Sequence, residues 1–283
     1  MIGASPRPGS LPCGAAGAWL QSGRVSTPRR SLIPHEHGAY GQIALPVLTG
    51  LFLGRPGASA FLLAAAAFVG FLAYEPALVA SGHRGRRARE EDGRRALRWV
   101  AVLGGTCLAL GLAGLALASP AAKLASLFPP GLAAIVALLV AADLERTAFG
   151  EVMVAVALSS CGLPVAMAAG APASVALSAW LAWILAFAVA VVAVQVLLSR
   201  ARPEGRDRGP GAAFLTACIA AAAFALWAAE LVPVAVPVAV VPMAAVALAL
   251  ILFQVTPRQL RRVGWTIMGA SVATLVLLVT GLR

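Results

Sequence analysis

The stretch Val152–Ser199, VMVAVALSSCGLPVAMAAGAPASVALSAWLAWILAFAVAVVAVQVLLS, has 48 residues and no charge. About 20 apolar residues cross a bilayer, so this run is long enough for two crossings. Gly170-Ala171-Pro172-Ala173-Ser174 supplies the turn that divides it. Period-two alternation, the mark of a barrel strand, is absent, and helices satisfy their own backbone groups in lipid.

Working outward, the same reading applies to Gly38–Gly54, Pro56–Tyr74, Trp99–Ala122, Leu124–Ala142, Gly209–Ala229, Leu231–Pro257 and Val263–Leu282. The expected architecture is all-α, a polytopic transmembrane bundle of about nine helices. Their expected bounds are 39–54, 58–80, 97–118, 122–142, 148–170, 174–199, 211–229, 232–253 and 265–281. The weakest spans are expected to be helix 1, which is short and holds Pro46, and helix 4, which Pro129-Pro130 is expected to break. Residues 1–33, rich in Gly, Pro, Ser and Arg, read as a disordered cytoplasmic tail ahead of a membrane domain at 34–283.

Composition agrees. Of the 283 residues 60% are hydrophobic and 12% charged, whereas soluble domains carry about 25% charged residues. The net charge of +11 comes from 22 basic and 11 acidic residues. In a soluble chain that balance suggests nucleic acid, but no aromatic-basic platform accompanies it. The charges instead separate the apolar runs. With nine spans, 19 basic residues fall on the side of the N-terminus and only Arg55, Lys123 and Arg283 on the other. Cytoplasmic connections carry the excess of Arg and Lys, so the N-terminus is expected inside and the C-terminus outside, in a bacterial inner membrane. Cys13, Cys107, Cys161 and Cys218 show no metal-ligand spacing.

Chemistry-bearing residues concentrate on the basic side. Pro34-His35-Glu36-His37-Gly38-Ala39-Tyr40 puts two histidines and a carboxylate at the mouth of helix 1, without the spacing that sets two His on one helix face. The alternatives there are a polar interfacial collar and a phosphate site. Glu75 precedes Pro76 near the end of helix 2, where it could pair with an Arg of the following loop; acids near a span are costly unless paired or functional. Asp143, Glu145, Arg146 and Glu151 crowd the connection between helices 4 and 5. They read as a structural clamp, a cation site or an anchor for Arg146. Glu230 reads as a solvated helix end. The arginine-rich loops after helices 2 and 6 attract anionic lipid heads, and a guanidinium also binds diphosphate through its fork.

These residues carry a resemblance. Pro34–Tyr40 is similar to the opening signature of the YwiC-like family of bacterial membrane proteins, with Tyr40 in place of a Trp. Glu145-Arg146-Thr147-Ala148, the stretch ending at Arg200 and Arg202, and Pro257–Gly264 resemble further segments of that family, over residues 32–283 in all. More distantly the chain resembles the UbiA-type prenyltransferases, with nine helices and functional 2–3 and 6–7 loops; Gly150-Glu151 and Gly162-Leu163-Pro164 look like part of their helix 5. That resemblance implies a UbiA-like topology and two Asp-rich motifs holding magnesium against a prenyl diphosphate. Here Glu75 stands at the first, and Gln195, Glu204 and Asp207 at the second, so no cofactor is expected and magnesium lacks its hard oxygen ligands.

The leading expectation is a cytoplasm-facing cavity that binds an isoprenoid or other lipid diphosphate. His35, His37, Arg84, Arg146, Arg200 and Arg261 are the expected phosphate contacts. Glu75 and Glu151 orient them or move a proton, as the catalytic candidates if the chain is a degenerate prenyltransferase. Two other roles stay open: a transporter of a small ion or metabolite, and a non-catalytic accessory subunit. Membrane lipids are the expected partners, and nucleic acid is not.

Overall fold

At two bends in the apolar runs a proline follows closely. Pro76 and Pro164 have no N–H to give the carbonyls of Leu72 and Ser160 four residues back. In the computed structural model the helices break at those places. It describes residues 31–33, 37–145, 147–200, 209–253 and 260–283, without the side chains of residues 37 and 260. Residues from Leu32 onward form one compact unit.

All regular structure among the described residues is α-helical, in twelve segments. The first span is α1 (His37–Phe52). The second is α2 (Ala58–Leu72) bent at Ala73 into α3 (Tyr74–Ser81), and the third is α4 (Arg86–Ala116). The fourth is α5 (Pro120–Ala125) with α6 (Phe128–Ala141), and the fifth is α7 (Ala148–Ser160) with α8 (Gly162–Ala168). Then follow α9 (Ala173–Arg200), α10 (Gly209–Ala228), α11 (Ala235–Leu252) and α12 (Leu260–Leu282). Eight of these nine arms are long and apolar enough to cross a membrane; the first, Gly38–Phe52, is shorter. At 1.5 Å per residue α1 is about 24 Å long, less than a hydrocarbon core.

Two expected features are corrected. The third helix was expected to begin at residue 97 after a basic loop, but α4 begins at Arg86 and takes in six of that segment's seven arginines. Its polar lead-in is held by pairs at helical spacing, Arg86–Glu90 at 2.8 Å and Arg87–Glu91 at 2.7 Å. Such pairs each stabilise a helix by about 0.2–0.5 kcal/mol. Pro129-Pro130 does not break the fourth span. The bend lies just before, at Ser126–Leu127, and the prolines open α6, where a missing N–H has no intrahelical partner to lose.

Helix ends follow from local hydrogen bonding. After α6, Leu144 N donates to Leu139 O (2.8 Å) and Asp143 N to Val140 O (3.0 Å), with Asp143 at φ 55. After α10, Leu231 N donates to Leu226 O (3.0 Å) and Glu230 N to Trp227 O (2.8 Å), with Glu230 at φ 59. Gly170 closes α8 in the same way. These are Schellman ends, which place one residue in the left-handed region.

The centre of the bundle is α9 and α11. Each has 56% of its apolar window buried, against 6% in α4 and 11% in α10. Core residues are small: Ala186, Val189, Ala190 and Ala193 of α9 face Met243, Ala244 and Ala247 of α11. The outward residues of the peripheral helices are large and apolar, among them Leu108, Leu112, Phe214 and Trp227. Only lipid can cover that much hydrocarbon, and with lipid outside, helices adhere through close packing and hydrogen bonds. Gly50 and Gly162 let α1 and α8 approach closely. A Cβ on Gly162 would lie 2.5 Å from the Pro46 carbonyl oxygen, and one on Gly50 would lie 2.6 Å from the Gly162 carbonyl oxygen. Between α9 and α1, Trp183 Nε1 donates to Thr49 Oγ1 (3.1 Å), and Thr49 donates to Leu45 O (2.8 Å).

Candidate functional site at the arginine-rich ends

The bend at Ala73 starts a new helical turn holding Glu75 and Pro76, both buried. The chain then reverses through two glycines with positive φ, Gly82 at 91° and Gly85 at 97°. No side chain with a Cβ enters that region at low cost. Gly82 N donates to Val79 O (3.2 Å) and Gly85 N to Gly82 O (2.9 Å). This tight return swings Arg84 back over α3.

There Arg84 grips the Glu75 carboxylate with two nitrogens. Nε lies 3.0 Å from Oε1 and 3.2 Å from Oε2, and Nη2 lies 2.6 Å from Oε2. The Glu75 side chain is 9% exposed and that of Arg84 25%. A buried carboxylate is tolerated when paired in this fork-to-fork manner. Both Glu75 oxygens are used, so its first role is to fix Arg84 in position. Next to the pair, Ser81 Oγ donates to Leu78 O (3.1 Å) and lies 2.9 Å from Nδ1 of the exposed His83.

Two contacts bring the start of the first span to this end. Leu32, 6% exposed, packs with Val79 of α3 and Ala96 of α4. Tyr40 stacks edge-on against Phe71, with ring centroids 5.0 Å apart, beside the α2–α3 bend. His35 lies outside the described residues, as do Glu36, Arg146, Arg202, Glu204 and Asp207. His37 opens α1, but its side chain is outside them too. Among the described residues no three His, Cys, Asp or Glu side chains cluster as metal ligands do.

The remaining expected residues lie apart from Glu75. Arg200, partly buried, ends α9, and Arg261, exposed, is the second residue of α12. Leu197, Leu250 and Val263 pack together and join those two helix ends to the end of α11. Glu151, half-buried, sits in the first turn of α7, where a carboxylate is favoured by the helix dipole. Thr147 caps that helix by accepting from Gly150 N (3.1 Å). Gly150 is required there, because a Cβ would strike the Leu144 carbonyl oxygen.

Sequence reasoning passed over the arrangement of Arg94 and Arg98, which it counted among the arginines connecting the second and third spans. On α4 they stand one helical turn apart, both exposed, directly before Trp99, which is 45% exposed. The signal was present: a basic pair at i, i+4 continuing into an apolar helix without Pro.

No curated protein and no solved structure matches the chain. The family described as YwiC-like protein matches residues 33–166, from just before α1 into α8. The segments at the sixth and ninth spans lie beyond that match. Through its first five spans, the chain carries the sequence pattern of the YwiC-like family.

Proposed function

We propose that this YwiC-like membrane protein binds an isoprenoid or other lipid diphosphate at its arginine-rich face, within a UbiA-like bundle. That face would be cytoplasmic, with the C-terminus outside the inner membrane. The observation that carries the reading is the α4 lead-in. Arg94 and Arg98 are exposed like charges one turn apart on α4, and Glu75 holds a third arginine, Arg84, in place just before that helix. Like charges at this spacing cost a few tenths of a kcal/mol, which a multivalent anion removes. Trp99 marks the level where the isoprenoid tail would enter lipid. In this reading His35, His37, Arg146, Arg200 and Arg261 contribute further phosphate contacts and Glu151 orients its neighbours. The proposal assigns binding and no prenyl transfer, since hard oxygen ligands for magnesium are too few.

Equilibrium binding of a fluorescent prenyl diphosphate to the detergent-solubilised protein, with and without a chelator, tests this. The reading expects binding that survives the chelator. It expects a loss of at least about tenfold in Arg94→Gln/Arg98→Gln and in His37→Ala, equivalent to 1.4 kcal/mol or more. Equal binding by wild type and these variants, or none by either, contradicts it.

A transporter of small ions or metabolites is the second reading, favoured by the bends in the second, fourth and fifth spans. Interrupted helices line substrate paths in many transporters. Proteoliposome flux that falls in Glu151→Gln would favour transport; flux unchanged by that substitution counts against it.

A further inference from the structure

A second polar feature lies in the opposite half of the bundle, far along α1, α8 and α9 from the arginine-rich ends. There Thr49, Ser159, Trp180 and Trp183 line a small pocket between the first, fifth and sixth spans. Its volume of about 10 Å³ is room for one oxygen atom. The hydroxyls are already committed. Thr49 donates to Leu45 O and Ser159 to Val156 O (3.1 Å), while Trp183 N–H is taken by Thr49. Trp180 differs. Its Nε1 is buried and has no hydrogen-bond partner among the described residues, although its ring is fixed edge-on against Phe128 with centroids 5.8 Å apart. A buried indole N–H without an acceptor costs about 1–3 kcal/mol. Trp180 is thus the residue lining this pocket whose donor is unused, and an acceptor oxygen reaching it would remove that cost.

The rim says what brings it. Leu53, Ala125, Leu163 and Ala176 pack in one cluster with Trp180 and Leu282 against it. Each basic residue on this side of the nine-span arrangement is within two residues in sequence of a member of that cluster. The Arg55 backbone N–H donates to Ala169 O (2.8 Å) at the turn beyond Leu53. Lys123 is exposed on α5, two residues before Ala125. Arg283 follows Leu282, and its Nε donates to Phe52 O (2.7 Å). Trp180 is seven residues into α9, so it lies about 10 Å below the helix end. A Trp at about that distance from a helix end lies in the interfacial layer that favours its amphipathic ring.

We infer that this pocket is a specific site for one anionic phospholipid of the leaflet facing Arg55. The lipid phosphate lies among Arg55, Lys123 and Arg283, and an ester carbonyl oxygen accepts the hydrogen bond of Trp180 Nε1. The site is independent of the diphosphate reading, because it uses the other end of the bundle and none of its residues.

Native mass spectrometry of the delipidated protein in detergent tests the inference. Phosphatidylglycerol, phosphatidylcholine and inorganic phosphate are the probes. Wild type is expected to hold one phosphatidylglycerol at least about tenfold more tightly than phosphatidylcholine. Trp180→Phe keeps the ring and removes the N–H; it should lose that tight site. Arg55→Gln/Lys123→Gln alters only exposed side chains, so it reports even where Trp180→Phe fails to fold, and it should erase the preference for the anionic lipid. Retention unchanged in both variants overturns the inference, leaving a water in the pocket. Inorganic phosphate that displaces the lipid at millimolar concentration also overturns it, in favour of a free-anion site.

Discussion

Deleting the Arg84 guanidinium leaves the Glu75 carboxylate buried and unpaired. Arg84→Gln is expected to destabilise the protein by about 3 kcal/mol, the low end for a broken buried pair because Arg84 is a quarter exposed. Glu75→Leu/Arg84→Met should recover most of that loss, since an apolar pair removes both desolvation costs. Thermal unfolding in detergent measures both; a double variant no better than the single would contradict the ion-pair account. At Glu230, φ 59 places a Cβ-bearing residue in the left-handed region, so Glu230→Gly is expected to stabilise by about 1 kcal/mol. The ion pair was half legible, because an acid before Pro76 near a span end asks for a cation. Asp143 was not. Its charge drew attention to chemistry, whereas its position is explained by the left-handed end of α6, a role sequence usually signals with Gly.

Helix contacts in lipid depend on how closely backbones approach. Gly162→Ala pushes a Cβ to 2.5 Å from the Pro46 carbonyl oxygen, and overpacking of that kind costs about 1–3 kcal/mol. Gly104→Ala on α4 meets nothing within 4 Å and is expected to stabilise by up to about 1 kcal/mol through helix propensity. Opposite signs in the two melting curves check the packing. The spans themselves were readable, since charge-free runs of bilayer length leave few alternatives. The start of α4 was not, because charges between apolar runs read as a loop until the Arg86–Glu90 and Arg87–Glu91 pairs are recognised as helical spacing. The pocket at Trp180 was also hidden: its residues lie inside apolar runs, and only the fold shows that the Trp180 N–H has no acceptor among the described residues.

For the whole molecule, the apolar exterior of α4 and α10 fits lipid around the bundle, and the proposed orientation rests on the partition of arginines. The functional readings inherit that orientation. Diphosphate binding needs the α4 lead-in on the side where such lipids are made, and the lipid site needs Arg55 in the opposite leaflet's interface. The most direct test is therefore membrane-impermeant thiol labelling of intact cells and inverted vesicles. It would use a variant lacking Cys13, Cys107, Cys161 and Cys218, with a single cysteine introduced as Glu90→Cys on α4 or Pro172→Cys in the turn before α9. The account predicts that Glu90→Cys is labelled only in inverted vesicles and Pro172→Cys only in intact cells. Labelling of both from the same side would contradict it.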